Sequence, residues 1–174
     1  YWFHVHHLNT NSGKMSKSKG EFLTVSLLES KGYDPVIYRF FCLLSHYRKS
    51  LVFTYENLDN AKGAYEKLVA KIAQLLKAEQ GEADKAAYDK LREGFTAAMD
   101  NDINTSLAIT ALYDVLKADT TPATKLALIA DFDKVLSLSL IEKAKAVNEK
   151  PADTAEELPA EILDLAEQRK QARK

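Results

Sequence analysis

The segment YENLDNAKGAYEKLVAKIAQLLKAE, residues 55–79, carries a long and regular pattern of apolar side chains. These recur at steps of three and four residues, at Leu58, Ala61, Tyr65, Leu68, Ile72 and Leu75. Such steps place side chains on one face of an α-helix. The pattern therefore predicts a helix from about Tyr55 to Glu79, with Gly63 as a weak helix former inside it and Gln80–Gly81 as its end.

Three further apolar stripes with helical spacing follow, at about 82–99, from about 105 to 116, and from Thr121–Pro122 to about 136. Proline just after a threonine is a common helix start. Four amphipathic helices with short connections are typical of an antiparallel bundle. We therefore predict a mainly α fold, in which a short strand or loop and two short helices precede an antiparallel helical bundle.

Two polar segments interrupt or follow the predicted bundle. The turn Asp100–Asn104 is acidic enough to suggest calcium, but it lacks the glycine and the closing glutamate of an EF-hand loop. We predict a simple turn in which Asn104 or Thr105 caps the next helix. Residues 148–159 are acidic and contain two prolines, which predicts a mobile loop at about 147–159 before a last helix from Ala160 to about Arg173.

The first 50 residues contain shorter elements. Thr24 is a suitable N-cap for a short helix that stops at Gly32, and Asp34–Pro35 begins a second helix. Cys42 lies inside the second helix and is predicted to be a small core hydrophobe. The cationic run His46–Ser50 ends that helix, and both helix capping and contact with RNA remain open for it.

Charge supports a division of the chain. Residues 1–50 hold seven Lys/Arg against three Asp/Glu, a balance of +4, whereas residues 51–174 hold seventeen against twenty-two, a balance of −5. We predict two parts, 1–50 and 51–174. The formal net charge of −1 gives the whole chain no nucleic-acid signature.

The composition indicates a globular protein of one domain or slightly more. The chain has 174 residues, a hydrophobic share of 46% and one cysteine, which excludes an internal disulfide and favours a cytoplasmic location. No apolar run approaches the ~20 residues that a membrane span requires. The chain opens with Tyr1 in an aromatic run, and we expect it to be a piece of a longer protein.

The stretch Lys14-Met15-Ser16-Lys17-Ser18 is the candidate for chemistry. Gly13 and Gly20 flank it, so the backbone there has unusual freedom. Ammonium and hydroxyl groups on such a loop can stabilise a phosphate group whose charge is changing. The stretch does not fit the Walker pattern, because glycine is missing five positions before Gly13.

The residues around this stretch are less informative. The aromatic run at 1–5 is predicted to be a strand edge or the last turn of a core element, and residues 9–19 are predicted to be loop. His4, His6 and His7 suggest metal, but no cysteine or carboxylate lies near enough in sequence to complete a site. We therefore predict no metal site in this chain.

The pentapeptide resembles the KMSKS signature of class I aminoacyl-tRNA synthetases, and longer runs resemble the cysteinyl branch of that family. These runs appear in the family's order: Tyr1–His4, Gly13–Phe22, Leu27–Pro35, Arg39, Leu44–Arg48 and Met99–Thr105. Lys19 and Glu21 depart from the family, which usually has leucine and asparagine there.

The resemblance implies part of a cysteine–tRNA ligase, with tRNA(Cys), ATP and cysteine as partners. The enzyme activates cysteine to cysteinyl-adenylate with ATP and transfers it to the tRNA. Lys17 is implied to contact ATP, Lys14 to support the same loop, and Ser16 and Ser18 to stabilise the loop or the phosphates. Residues 1–50 are implied to end the catalytic domain with stem-contact helices, and residues 51–174 to form a tRNA-binding bundle.

The family's zinc ligands and its His-Ile-Gly-His motif are implied to lie outside this chain. The isolated chain is therefore expected to be inactive. Two alternatives remain: a related ligase that joins cysteine to an amino sugar through the same loop, and a non-catalytic helical module that binds RNA or protein.

Overall fold

The computed structural model describes residues 2–10, 13–14 and 24–149 of the chain. Within these residues the protein is mainly α-helical, as the sequence predicts. The strands are β1 Leu8–Thr10, β2 Gly13–Lys14 and β3 Leu51–Phe53. The helices are α1 Val25–Ser30, α2 Pro35–Leu43, α3 Tyr55–Lys77, α4 Lys85–Asp100, α5 Thr105–Lys117, α6 Pro122–Leu136 and α7 Leu140–Glu149.

The three strands form one small sheet in the order β2-β1-β3. β1 is antiparallel to β2, with Asn9 opposite Lys14, and parallel to β3, with Leu8 opposite Leu51. The prediction of loop for all of residues 9–19 is therefore wrong at 9–10 and 13–14, because β3, which is distant in sequence, pairs with β1, and β1 pairs with β2 on its other side. Residues 2–7 have no regular secondary structure, and Trp2 is 93% exposed, so they are not the predicted core element.

The predicted starts of the two short helices are confirmed. Thr24 Oγ1 accepts a hydrogen bond from Leu27 N at 3.1 Å, and Asp34 Oδ1 accepts one from Val36 N at 3.0 Å. Each side chain satisfies a backbone donor that the first turn of a helix leaves free. Gly32 follows α1 with a φ of 82°, a conformation that strains other residues.

The helices α3 to α7 pack as a bundle around buried aliphatic and aromatic side chains. α3 contacts α2, α6 and α7, and α4 contacts α5 and α6. One continuous core joins the helices on both sides of the predicted boundary at 50/51. Its largest fully buried members are Phe40, Phe132, Leu28, Leu58, Leu68, Ile72, Leu112, Leu128, Ile129, Leu136, Leu138 and Leu140.

Helix α7 was not predicted. It buries Leu140 and Ala144, and Asn148 Nδ2 donates to Ala73 O of α3 at 2.9 Å. The predicted loop at about 147–159 therefore begins too early, because 147–149 are helical and packed on α3. Residues 150–159 and the predicted last helix lie outside the described residues.

Where the structure describes the chain, no helix has both the length and the apolar character needed to cross a bilayer.

Candidate functional site

The site predicted from sequence begins at the edge of the small sheet. The backbone of Lys14 belongs to β2, and β2 pairs with β1 at one side of the sheet. Met15, Ser16, Lys17 and Ser18 lie outside the described residues. The structure therefore places the start of the motif and the strand that supports it.

The support of β1 comes from the segment that follows α2, residues 46–50, here called the basic turn. His6 N donates to Tyr47 O at 2.9 Å, and Asn9 Nδ2 donates to Ser50 Oγ at 2.7 Å. The ring of Phe3 stacks on that of Tyr47, with 4.5 Å between centroids. The basic turn thus contacts β1 and the residues leading into it at three points.

Asp102, in the connection between α4 and α5, binds the basic turn. Arg48 Nε donates to Asp102 Oδ2 at 2.6 Å, and the hydroxyl of Tyr47 donates to Oδ1 at 2.5 Å. His46 Nε2 lies 3.1 Å from the Asp102 carbonyl oxygen. Thr105 Oγ1 adds a hydrogen bond to Ser45 O at 3.3 Å.

These hydrogen bonds determine the charge states of Asp102 and Tyr47. The Arg48 guanidinium, hydrogen-bonded to Asp102, holds the pKa of that carboxyl below its ordinary value. The same carboxylate accepts a hydrogen bond from Tyr47 and raises the pKa of that phenol. At neutral pH the carboxylate is therefore ionised, and Tyr47 remains a neutral donor.

The turn Asp100–Asn104, here called the acidic turn, has a strained backbone. Asp102 has a φ of 56° and Ile103 a φ of 52°, in the left-handed region that a β-branched residue rarely adopts. Asn104 then caps α5, since its Oδ1 accepts from Leu107 N at 3.2 Å, and this confirms the predicted capping turn. The carboxylate of Asp102 is aimed at Arg48 and Tyr47, so its strongest partner is a cation of the protein.

The described residues contain no group of three His, Cys, Asp or Glu side chains arranged to hold a metal ion. His4, His6 and His7 are exposed, and the backbone N–H of His6 donates to the basic turn.

Beneath the basic turn lies a cavity of about 400 Å³ with a mostly apolar lining. Cys42 lies at its wall, half-buried, and burial is the main cause that raises the pKa of its thiol. Burial likewise raises the pKa of the neighbouring Tyr38 to about 12. A thiol that resists ionisation is a poor nucleophile, which supports the predicted role of Cys42 as a small core side chain.

Two separate signals in the sequence point to this site, but the contact between them cannot be predicted from their positions. Leu44–Arg48 and Met99–Thr105 are separate landmarks in the sequence, with 50 residues between them. The opposite charges of Arg48 and Asp102 were the one available hint of pairing, and many such pairs exist in a chain with 28% charged residues. The geometry shows that they form one unit.

Comparisons with known proteins match two parts of the chain. The family model described as the class I (C) tRNA synthetase catalytic domain matches residues 1–63, and the model described as the DALR domain matches residues 94–167. The first match contains the sheet and the basic turn, and the second contains Asp102.

Three curated relatives of this chain are named cysteine–tRNA ligase. The protein from Novosphingobium aromaticivorans is 42% identical over 146 residues, covering 81% of this chain and 29% of that protein. The protein from Lachnoclostridium phytofermentans is 32% identical over 189 residues, covering 100% of this chain and 40% of that protein. The protein from Pelobacter propionicus is 33% identical over 210 residues, covering 99% of this chain and 42% of that protein.

The chain thus spans well under half the length of these relatives. The two domain models stand in order along the sequence, and relatives of one name align with almost all of it. Together with the motif order, these matches show that the chain belongs to the cysteinyl-tRNA synthetase family of class I aminoacyl-tRNA synthetases.

Proposed function

We propose that this chain is part of a cytoplasmic cysteine–tRNA ligase, which uses ATP to activate cysteine and then transfers it to tRNA(Cys). The observation that carries the proposal is the position of Lys14. Its strand lies at the edge of a sheet that the basic turn and β3 support from the other side. The motif thus starts from a fixed strand, which suits a loop that must reach a nucleotide.

In the activation step, a carboxylate oxygen of cysteine attacks the α-phosphorus of ATP and forms the adenylate. The bond from that phosphorus to the bridging oxygen breaks, and negative charge moves onto the departing pyrophosphate. We assign Lys17 to stabilise that charge and Lys14 to support the same loop, with hydrogen bonds from Ser16 and Ser18. One such preorganised donor is worth about 2.7–4 kcal/mol in the transition state.

The roles that we propose for the two parts are those that the family resemblance implies. We assign residues 1–50 to the end of the catalytic domain and residues 51–174 to the part that binds tRNA. The zinc implied by the resemblance is assigned to residues outside this chain, and no step proposed here passes through it.

The test is Lys17→Ala in a ligase that contains these 174 residues. We expect ATP–pyrophosphate exchange to fall about 100- to 1,000-fold, as for the loss of one transition-state donor, while tRNA affinity at fixed salt is unchanged. Lys19→Leu is the matched control, because it removes a neighbouring cation and restores the family's usual residue. We expect that variant to keep its exchange rate.

Loss of tRNA binding with intact exchange in Lys17→Ala contradicts the assignment. The 174-residue chain by itself serves as the baseline, and we expect it to show no exchange. Labelled cysteine transferred to an amino sugar, with no charging of tRNA, supports the amino-sugar ligase instead. Salt-dependent tRNA binding by a parent protein without exchange activity supports the non-catalytic module.

A further inference from the structure

We propose that Asp102 is a positioning residue for the motif strand: its carboxylate fixes the basic turn against β1, and β1 fixes the strand that contains Lys14. The proposal rests on the proposed function, since it assigns a role in cysteine activation to a residue of the α4–α5 connection. Asp102 is separated by 88 positions from Lys14 in the sequence.

The first step is the binding of the basic turn by one side chain. Both oxygens of the Asp102 carboxylate are used, Oδ2 by Arg48 Nε and Oδ1 by the Tyr47 hydroxyl and Arg48 Nη2, at 2.5–3.2 Å. Arg48 Nε also lies 3.0 Å from the Tyr47 hydroxyl, and its guanidinium lies 5.2 Å from the Tyr47 ring centroid. Charge-assisted and forked contacts of this kind restrict orientation more than a single neutral hydrogen bond does.

The second step is the contact between the basic turn and β1. The carbonyl of Tyr47 accepts from His6 N, two residues before β1 begins, and the Tyr47 ring stacks on Phe3. The residue that Asp102 orients is therefore the one that contacts the segment leading into β1. A shift of Tyr47 is transmitted to β1, and from β1 to its antiparallel partner β2.

The strained backbone of the acidic turn supports this role. Two successive residues without the freedom of glycine, Asp102 and Ile103, have φ values of 56° and 52°. Such strain persists only where surrounding contacts determine the conformation, and it is concentrated at functional positions. Asp102 makes its contacts to the basic turn from that backbone conformation, and Ile103 lines the cavity together with Phe3 and Val5.

The test is Asp102→Asn in a ligase that contains these residues, assayed by ATP–pyrophosphate exchange without tRNA. Asparagine keeps the shape but removes the charge that binds Arg48. We expect the exchange kcat to fall about tenfold, within the range for residues coupled through shared contacts, while the KM for cysteine is unchanged. Omitting tRNA excludes any contact between Arg48 and RNA from the result.

Asp131→Asn is the matched control. Asp131 also accepts from two cations, Arg92 at 3.0 Å and Lys134 at 3.1 Å, but it joins only α4 and α6 within the bundle. We expect it to shift the urea midpoint about as much as Asp102→Asn does, and to leave kcat unchanged. Equal exchange rates in the two variants overturn the proposal.

A double-mutant cycle of Arg48→Ala and Asp102→Ala gives a second measurement. If Asp102 acts through Arg48, the double variant loses less exchange activity than the product of the two single losses. Fully multiplicative losses overturn the proposal. Lys17→Ala separates the two ideas: full exchange activity in Lys17→Ala refutes the proposed role of Lys17 in the motif, whereas an inactive Lys17→Ala enzyme with a normal Asp102→Asn enzyme refutes only the positioning role of Asp102.

Discussion

At the residue scale, a single buried hydroxyl joins the bundle to the connection between α6 and α7. The hydroxyl of Tyr65 donates to Leu138 O at 2.6 Å, and Tyr65 is only 4% exposed. Burial raises the pKa of this phenol well above its ordinary value, so it is a neutral donor throughout the working range. Removing the hydroxyl leaves the buried carbonyl of Leu138 without this hydrogen bond.

We therefore expect Tyr65→Phe to lower the free energy of unfolding by about 1–3 kcal/mol, the penalty for an unsatisfied buried acceptor. Urea denaturation followed by circular dichroism measures the change. Tyr113→Phe is the control, because Tyr113 is half-buried and its hydroxyl has no hydrogen-bond partner among the described residues. Equal midpoints for the two variants contradict the importance of the Tyr65–Leu138 bond.

At the element scale, Asp34 connects two helices that are far apart in sequence. One carboxylate oxygen caps α2 by accepting from Val36 N, and the other binds Lys143 Nζ on α7. The hydrogen bond from Lys143 is the main cause that lowers the pKa of Asp34 below its ordinary value of 3.8. Because the folded-state pKa is depressed, this contribution to stability is present above about pH 4 and is lost as the pH falls below it.

Two variants of Asp34 separate its roles. Asp34→Asn keeps an effective N-cap but removes the charge, so we expect a loss of only a few tenths of a kcal/mol at pH 7, as for a partly exposed ion pair. Asp34→Ala removes the cap as well and is expected to cost about 1 kcal/mol more. Urea midpoints at pH 7 and pH 3 measure both. A difference between wild type and Asp34→Asn that grows at pH 3 contradicts the assignment.

The starts of the helices show which local features can be predicted from the sequence. The caps Thr24, Asp34, Asn104 and Thr121 were predictable, because a cap side chain and the backbone N–H that donates to it lie within three residues of each other. Helix α7 was missed because its start depends on Asp133, whose carboxylate accepts from the backbone N–H of Leu138 and Leu140.

Ser137 and Ser139, between α6 and α7, have positive φ values of 52° and 53°. Nothing in the sequence predicts these values, because serine adopts a positive φ only where surrounding contacts require it. The contact between Arg48 and Asp102 was equally out of reach, since 54 residues separate the two side chains. Local chemistry was predictable, and long-range pairing was not. The motif at Lys14–Ser18 is visible in the sequence because its five residues are consecutive, and its chemical role stays a prediction.

At the scale of the whole molecule, α3 connects the part that supports the motif to the rest of the bundle. It follows β3 directly, with Thr54 as its N-cap, and it contacts α2 on one side and α6 and α7 on others. The buried side chains of all these elements form one core. A change in the core under α2 should therefore lower the stability of the whole bundle, even though the sequence predicts a boundary at 50/51.

Phe40→Ala tests this expectation. Phe40 lies on α2, is 0% exposed, and its ring centroid lies 5.6 Å from that of Tyr65 on α3. Removing a fully buried aromatic side chain typically lowers the free energy of unfolding by about 3–5 kcal/mol. Because the core is continuous, we expect amide hydrogens in α2, α3 and α6 to lose the same amount of protection in a single cooperative unit.

Hydrogen exchange measured by NMR on the 174-residue chain gives the protection of each helix separately. Val135→Ala, on α6 and 51% exposed, is the control and should leave protection nearly unchanged. If Phe40→Ala accelerates exchange only in α1 and α2, while α5 and α6 keep their protection, the two parts unfold independently. In that case the boundary at 50/51 separates two cooperative units, and the contact between Asp102 and the basic turn lies between them rather than within one.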